Sequence, residues 1–396
     1  MRVLVSGAGV AGLTCAYWLR AAGHTPVVVE RAAPGPQGGY GIDLSGSGYD
    51  VAGRMGILDR LAARQLRVDS VALVDAADRI TARLDRPLAE KMLRGPYLGL
   101  MHSTLEEVLA TTVEDTVEIR HRQSIGTLRQ NDDDVLVAFA DGTRERFDVV
   151  VGADGVHSHT RALAFGPEPR WARRLGFSMA CYPVPDVAGC TDVRAHYTEP
   201  GRQTVLYPTD TVGTSVALFL YRSQRHGSIP RTERVARLRA AYRGAGWHTP
   251  ELLAHAPAEL FLDELTQIEL PAWHRGRVVL IGDACGALTL SSAQGASVAM
   301  AGGYLLAAAL AAHPGAHTDA FAAYQARVRP YVAERQRRAR RFTRGLVPAT
   351  RAGRRAQRVL TRLVLRDAAA PLLRFGFGDV GSILPNPSHY PKERQR

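Results

Sequence analysis

Three glycines and an acid near the start of the chain are spaced for holding a pyrophosphate. Gly7, Gly9 and Gly12 form a G-x-G-x-x-G turn, and Glu30 follows Gly12 by 18 residues. In such a turn the first glycine makes the bend and the second lets backbone approach a pyrophosphate. The third allows close helix–strand packing, and the acid meets a ribose hydroxyl. Two more carboxylates follow apolar runs. Asp154-Gly155 comes after Phe147–Gly152, with Arg161 near enough in sequence to pair with the acid. Gly282-Asp283 comes after Arg277–Ile281. Acids at the carboxyl ends of buried strands are where open α/β sheets meet ligands, and Asp283 is suited to a polyol chain. Gln294-Gly295-Ala296 then opens a helix whose positive end could face an electron-rich ring. This set reads as a site for an adenine dinucleotide.

The elements that must position these groups follow from pattern. Val3–Val5 reads as a strand, Leu13–Ala22 as a helix stopped by Gly23, and Pro26–Val29 as a second strand. Ala33–Gly48 is glycine-rich and aperiodic, a loop able to lie against a flat ligand. Tyr49–Leu66 reads as a helix, Val68–Asp75 and Ile80–Leu84 as strands, and Leu105–Val113 as a helix. Val117–Arg122, Gly126–Gln130 and Val135–Phe139 read as a meander with a hairpin at Asp141-Gly142. Gly176–Tyr221 is β-rich, Thr232–Arg243 helical, and Gly295–Ala312 an alanine-rich helix. The C-terminus reads as basic helix interrupted by Pro330, Pro348 and Pro371.

The expected architecture is α/β: a Rossmann-like domain, an inserted antiparallel-sheet domain for substrate, and a C-terminal helical tail. Boundaries fall at 1–170 (with a substrate-side excursion near 68–97), 171–268, 269–345 and 346–396. One glycine turn serves one resident dinucleotide, so a second would bind transiently.

The net charge of +12 raises the question of nucleic acid. Its distribution argues otherwise: residues 327–366 hold fourteen arginines and one acid, Glu334, while the remainder is near balance. That pattern reads as a solvated helical surface without specific nucleic-acid binding, the alternative being a basic patch for an anionic cofactor, membrane or acidic partner. The four cysteines show no C-x-x-C spacing, which suits a reduced, cytoplasmic protein. His157 and His159 lack a third ligand, so no metal site is expected. No signal peptide is read before Val3, and the apolar run Tyr304–Ala312 is too short to span a membrane.

The three motifs, in this order and at these separations, resemble the single-component FAD-dependent monooxygenases related to para-hydroxybenzoate hydroxylase. That family has polyketide-tailoring and tetracycline-modifying members, and the resemblance covers roughly residues 1–345. It implies that Gly7, Gly9, Ala11 and Gly12 hold the pyrophosphate of non-covalent FAD, and Glu30 the adenosine ribose with Arg31 beside it. Asp154-Gly155 matches the motif associated with FAD and the reducing nicotinamide. Asp283 matches the ribityl contact, and Gln294, Gly295 and Ala296 the loop beside the isoalloxazine. His102 stands where the family often has an arginine. After Ala284 the family continues to a histidine and Pro-x-Gly-Gly-Gln-Gly; here Leu290 replaces the proline, and Ser292 and Ala293 replace glycines. Leu384-Pro385-Asn386 with Tyr390 looks like the family's tails.

The activity so implied is NAD(P)H-dependent hydroxylation or epoxidation by molecular oxygen, through a C4a-hydroperoxyflavin. The expected substrate is a bulky apolar or aromatic small molecule, such as a polyketide-like intermediate of antibiotic biosynthesis. Candidate substrate contacts are Tyr182, His196, Tyr207, Tyr221, Leu290, Ser291 and Ser292. The altered loop keeps a second reading open, a flavin reductase or desaturase without oxygen insertion. A third is a non-catalytic flavin- or ligand-binding protein.

Overall fold

Val3, Leu4 and Val5 are all fully buried, as a strand covered on both faces must be. The computed structural model of the chain describes residues 1–35, 39–93, 95–223, 227, 229–289, 294–364 and 382–384. Strand Arg2–Ser6 lies inside a six-stranded sheet. Val149–Gly152, Val278–Leu280 and His274–Arg275 follow on one side, Thr25–Glu30 and Glu118–His121 on the other. Every pairing is parallel except that of His274–Arg275 with its neighbour. The register aligns Ser6 with Gly152, and Gly152 with Leu280. The glycine turn, Asp154 and Asp283 therefore leave the sheet at one edge.

A seven-stranded sheet forms the second layer. Its order is Phe261–Ile268, Ala172–Pro185, Thr214–Arg222, Arg202–Pro208, Val193–Glu199, Ser70–Val74 and Ile80–Asp85. All pairs are antiparallel except Val193–Glu199 with Ser70–Val74. Strands from 70–85 thus complete the same sheet as those from 172–268. One face buries Tyr182, Leu206, Phe219 and Tyr221 against helices Arg231–Ala241 and Thr249–Ala254. The alternate residues Met179, Val205, Tyr207, Leu218 and Leu220 face the other way. The architecture is the mixed α/β arrangement with helical C-terminus that the patterns imply.

Several local expectations are corrected. The stretch 33–48 contains a strand, Gly41–Ser45, paired antiparallel with Tyr97–Met101. The single helix expected at 49–66 is two, Ser47–Arg54 and Leu58–Ala62, because Gly56 adopts a left-handed φ of 68° that ends the first. Glu118–His121 joins the parallel sheet, and the meander is Ile125–Gln130, Val135–Phe139 and Arg144–Phe147. Pro330 does not interrupt the basic helix, which runs His317–Leu346. Buried Phe321, Tyr324, Val328 and Val332 anchor it to the core on both sides of the proline. The apolar run at 304–312 extends into an 18-residue helix, Gly295–Ala312, long and apolar enough to cross a membrane. Most of it is buried here, against helices Val10–Ala21 and His317–Leu346.

Candidate active site

The glycine turn is built by steric necessity. A Cβ on Gly12 would lie 1.9 Å from the Gly7 carbonyl oxygen, so only glycine lets helix Val10–Ala21 start this close to the strand. No side chain caps that helix, which leaves its first N–H groups and positive dipole end for an anion. Glu30 is fixed from both sides. Its Oε2 accepts from Ala8 N at 2.9 Å and its Oε1 from Ala32 N at 2.7 Å. The carboxylate therefore sits beside the turn, with a lone pair on each oxygen available to a diol.

Gly7, Gly9, Ala11, Glu30 and Arg31 line one wall of a cavity of about 1050 Å³. His102, Asp154, Gly155, Asp283, Gln294, Gly295 and Ala296 line the same cavity. Gly12 does not, consistent with a packing role. Asp283 opens to the cavity yet lies deep in the molecule. Burial raises its pKa, and His102 opposes that shift. His102 sits 3.4 Å from Glu106; burial would lower its pKa, but Glu106 and then Asp283 carry it above the ordinary value. Tyr40 stacks on His102 with centroids 5.7 Å apart. Gln294 leads into helix Gly295–Ala312, which also lacks a side-chain cap, and its Oε1 accepts from Arg335.

The expected pairing of Asp154 with Arg161 does not form. Asp154 instead accepts from the Ser158 hydroxyl and from Thr160 N and Oγ1 at 2.8 and 2.9 Å, bracing the start of helix His159–Phe165. The fully buried Arg161 donates to Val156 O, Ala284 O and Glu168. Among the described residues no cluster of metal ligands occurs.

Comparison with known proteins identifies the family. Residues 1–345 match the FAD binding domain family. A flavin-dependent monooxygenase of Legionella longbeachae is 31% identical over 343 residues, 85% of this chain and 87% of the relative. The chain belongs to this family of FAD-dependent monooxygenases. The tetracycline destructase Tet(51) superposes with a TM-score of 0.79 at 25% identity, covering 93% of this chain and 97% of that one. An FAD complex of Klebsiella pneumoniae HpxO shares the fold at a TM-score of 0.78 and 21% identity, with 95% and 98% covered.

The monooxygenase places its sequence-derived substrate candidates unequally. His196 and Tyr207 line the cavity. Tyr182 and Tyr221 do not: both point to the helix-covered face, where the Tyr182 hydroxyl donates to Leu252 O at 3.0 Å. Strand periodicity decides this, since a residue one place out of phase faces the opposite side. Leu290, Ser291 and Ser292 lie outside the described residues, as do Pro385, Asn386 and Tyr390.

Several lining residues escaped the sequence reading: Asp43, Arg194, Gln203, Phe342 and Leu346. Arg194-x-His196 carried a usable signal, two basic groups alternating on one face of a strand. Phe342 and Leu346 come from the basic helix and carried none.

Proposed function

We propose that the enzyme uses NAD(P)H and molecular oxygen to insert one oxygen atom into a bulky, largely apolar or aromatic small molecule. The observation that supports this is the continuity of the cavity. Its one wall is the glycine turn with Glu30; another is the apolar sheet face carrying Val205, Leu218 and Leu220. A cofactor held at the first wall meets a substrate held at the second.

In this reading the N–H groups opening helix Val10–Ala21 hold the pyrophosphate, with Gly9 and Ala11 lining its path. Glu30, pinned by Ala8 and Ala32, accepts from the ribose of the adenosine, with Arg31 beside it. Asp283 takes the ribityl hydroxyls, and helix Gly295–Ala312 turns its positive end toward the ring. When bound, FAD supplies redox chemistry, passing reducing equivalents from nicotinamide to oxygen. The chain itself binds, orients and excludes water; the apolar sheet and Phe342 and Leu346 keep the reacting end dry.

The division at 1–170, 171–268, 269–345 and 346–396 belongs to the same proposal, with the first and third parts holding cofactor and the second holding substrate. Cytoplasmic placement is proposed on the four free thiols.

The test is turnover under 18O-labelled oxygen with NADH or NADPH. Expected is substrate-stimulated nicotinamide oxidation and one labelled oxygen in the product. Oxidised product without label would favour the desaturase reading, and no stimulation by any substrate would favour a binding protein.

A further inference from the structure

Helix Arg351–Val364 sits against the body in an unusual way. A surface helix ordinarily buries its apolar residues and exposes its polar ones. Here polar groups make the attachment. Arg354 Nη1 donates to Thr198 O at 3.3 Å, and Gln357 Nε2 donates to Gly345 O at 3.0 Å and Leu346 O at 3.1 Å. Ala352, Ala356 and Val359 are instead exposed, Val359 at 57%. Spaced i, i+4 and i+7, they share one stripe of the helix. Exposed Arg351 and Arg355 run beside that stripe, one position earlier.

The charge around the stripe has one sign. Residues 335–366 contain twelve arginines and no acid. Arg335, Arg340 and Arg354 are turned onto the fold, but Arg351 and Arg355 face outward. The neighbouring hairpin at 199–202 brings another cation to the same end of the sheet. Its Gly201 N donates to Pro348 O at 2.8 Å, just ahead of the helix, and its Arg202 donates to the carbonyl of exposed Arg243 at 3.0 Å.

These features choose among anionic partners. Nucleic acid would use the arginines but has no use for the apolar stripe between them and solvent. A specific protein partner is usually gripped by large side chains seated in pockets. A low, even stripe of two alanines and a valine offers neither knob nor pocket. A lipid surface needs only apolar area beside cations, with the arginine stems lying along the boundary and their heads among the phosphates.

We propose that helix Arg351–Val364 docks the enzyme on an anionic membrane surface, with Ala352, Ala356 and Val359 entering the headgroup boundary and Arg351 and Arg355 meeting lipid phosphates. The helix packs on strands Ile80–Asp85 and Val193–Glu199, which supply Leu84 and His196 to the cavity wall, and its Gln357 holds the carbonyl of cavity-lining Leu346. Docking therefore sets the chamber close to a phase in which apolar molecules concentrate. The docking itself does not rest on the oxygen-insertion reading.

The test is sedimentation of the full FAD-loaded chain with phosphatidylcholine vesicles, either pure or with about one-third phosphatidylglycerol, at about 150 mM salt. Wild type is expected to bind the anionic vesicles at least about tenfold tighter than the neutral ones, and less tightly as salt rises. Arg351→Gln combined with Arg355→Gln should weaken that binding about 25-fold, at about fivefold per arginine near an anionic surface. Val359→Ser keeps every charge and should still weaken it about threefold to tenfold, which charge attraction alone would not do. All three positions are exposed, so Tm and FAD retention should stay at wild-type values. Absent binding to anionic vesicles, or equal binding to both kinds, would overturn the proposal. So would wild-type affinity in either variant. A short DNA duplex bound more tightly than the vesicles at the same salt would also overturn it, making this face a nucleic-acid contact.

Discussion

Glu30 shows how much one carboxylate can organise. It ends its strand, accepts from Ala8 in the glycine turn and from Ala32 in the following loop, and faces the cavity. Its removal would free two backbone N–H groups and delete the proposed acceptor for ribose. Hydrogen bonds to a charged group contribute about 1.5–3 kcal/mol. Glu30→Ala is therefore expected to weaken FAD binding by roughly 10- to 100-fold, with Glu30→Gln in between. Flavin fluorescence released on dilution measures this, and wild-type retention by Glu30→Ala would contradict the assignment. Residue-scale chemistry was the most legible part of the sequence, because spacing alone encodes a glycine turn and its acid. Asp154 shows the limit. Its position at a strand end was readable, but its engagement by Ser158 and Thr160 depends on a turn conformation that spacing does not specify.

Between elements, His157 joins the two main sheets. It follows strand Val149–Gly152 of one, and reaches Asp263 in strand Phe261–Ile268 of the other at 3.1 Å, with Glu168 at 3.0 Å. Hydrogen bonds to Asp263 and then Glu168 push its pKa up to about 10. A raised folded-state value means the stabilisation is fully present below the unfolded value of about 6.5, while the acids remain ionised, and is lost as pH rises through about 10. The imidazole is 55% exposed, so solvent screening keeps the effect modest. His157→Gln should lower Tm by a few degrees at pH 7 and converge on wild type above about pH 10. Melting curves across that range check it; a constant gap at every pH would assign His157 a packing role instead. Element types were legible where the period was clean, as in the first strand and helix. The strand at Gly41–Ser45 was not, since its glycine-rich surroundings mask a short pairing completed by residues more than fifty positions away.

Across the whole molecule, the basic C-terminal helix is a structural member of both layers. Arg340 donates to Gln267 and Glu269, Arg335 to Gln294, and Arg354 of the next helix to Thr198 O. These three arginines are turned onto carbonyls and acids of their own fold, so part of the +12 charge is engaged within the molecule. Composition could register the charge but not its direction, because each of these contacts joins residues distant in sequence. Gln336 is the central case. Buried at 5% exposure, its Nε2 donates to Ile268 O at 2.8 Å and Ala287 O at 3.0 Å, while its main-chain carbonyl accepts from Gln267 Nε2 at 3.1 Å. One side-chain amide thereby ties the end of the seven-stranded sheet and the segment after Asp283 to the helix that supplies Phe342 and Leu346. Gln336→Leu keeps a similar volume and helix propensity but leaves two buried carbonyls without that donor, at about 1–3 kcal/mol each. The variant is expected to melt several degrees lower and to lose substrate affinity, because the helix would no longer be held against the cavity. Glu30 and the glycine turn are untouched, so FAD affinity should change far less. Paired Tm and dialysis measurements decide the matter. A Tm within about one degree of wild type would show that water replaces the amide, and that the helix is held by its apolar face alone.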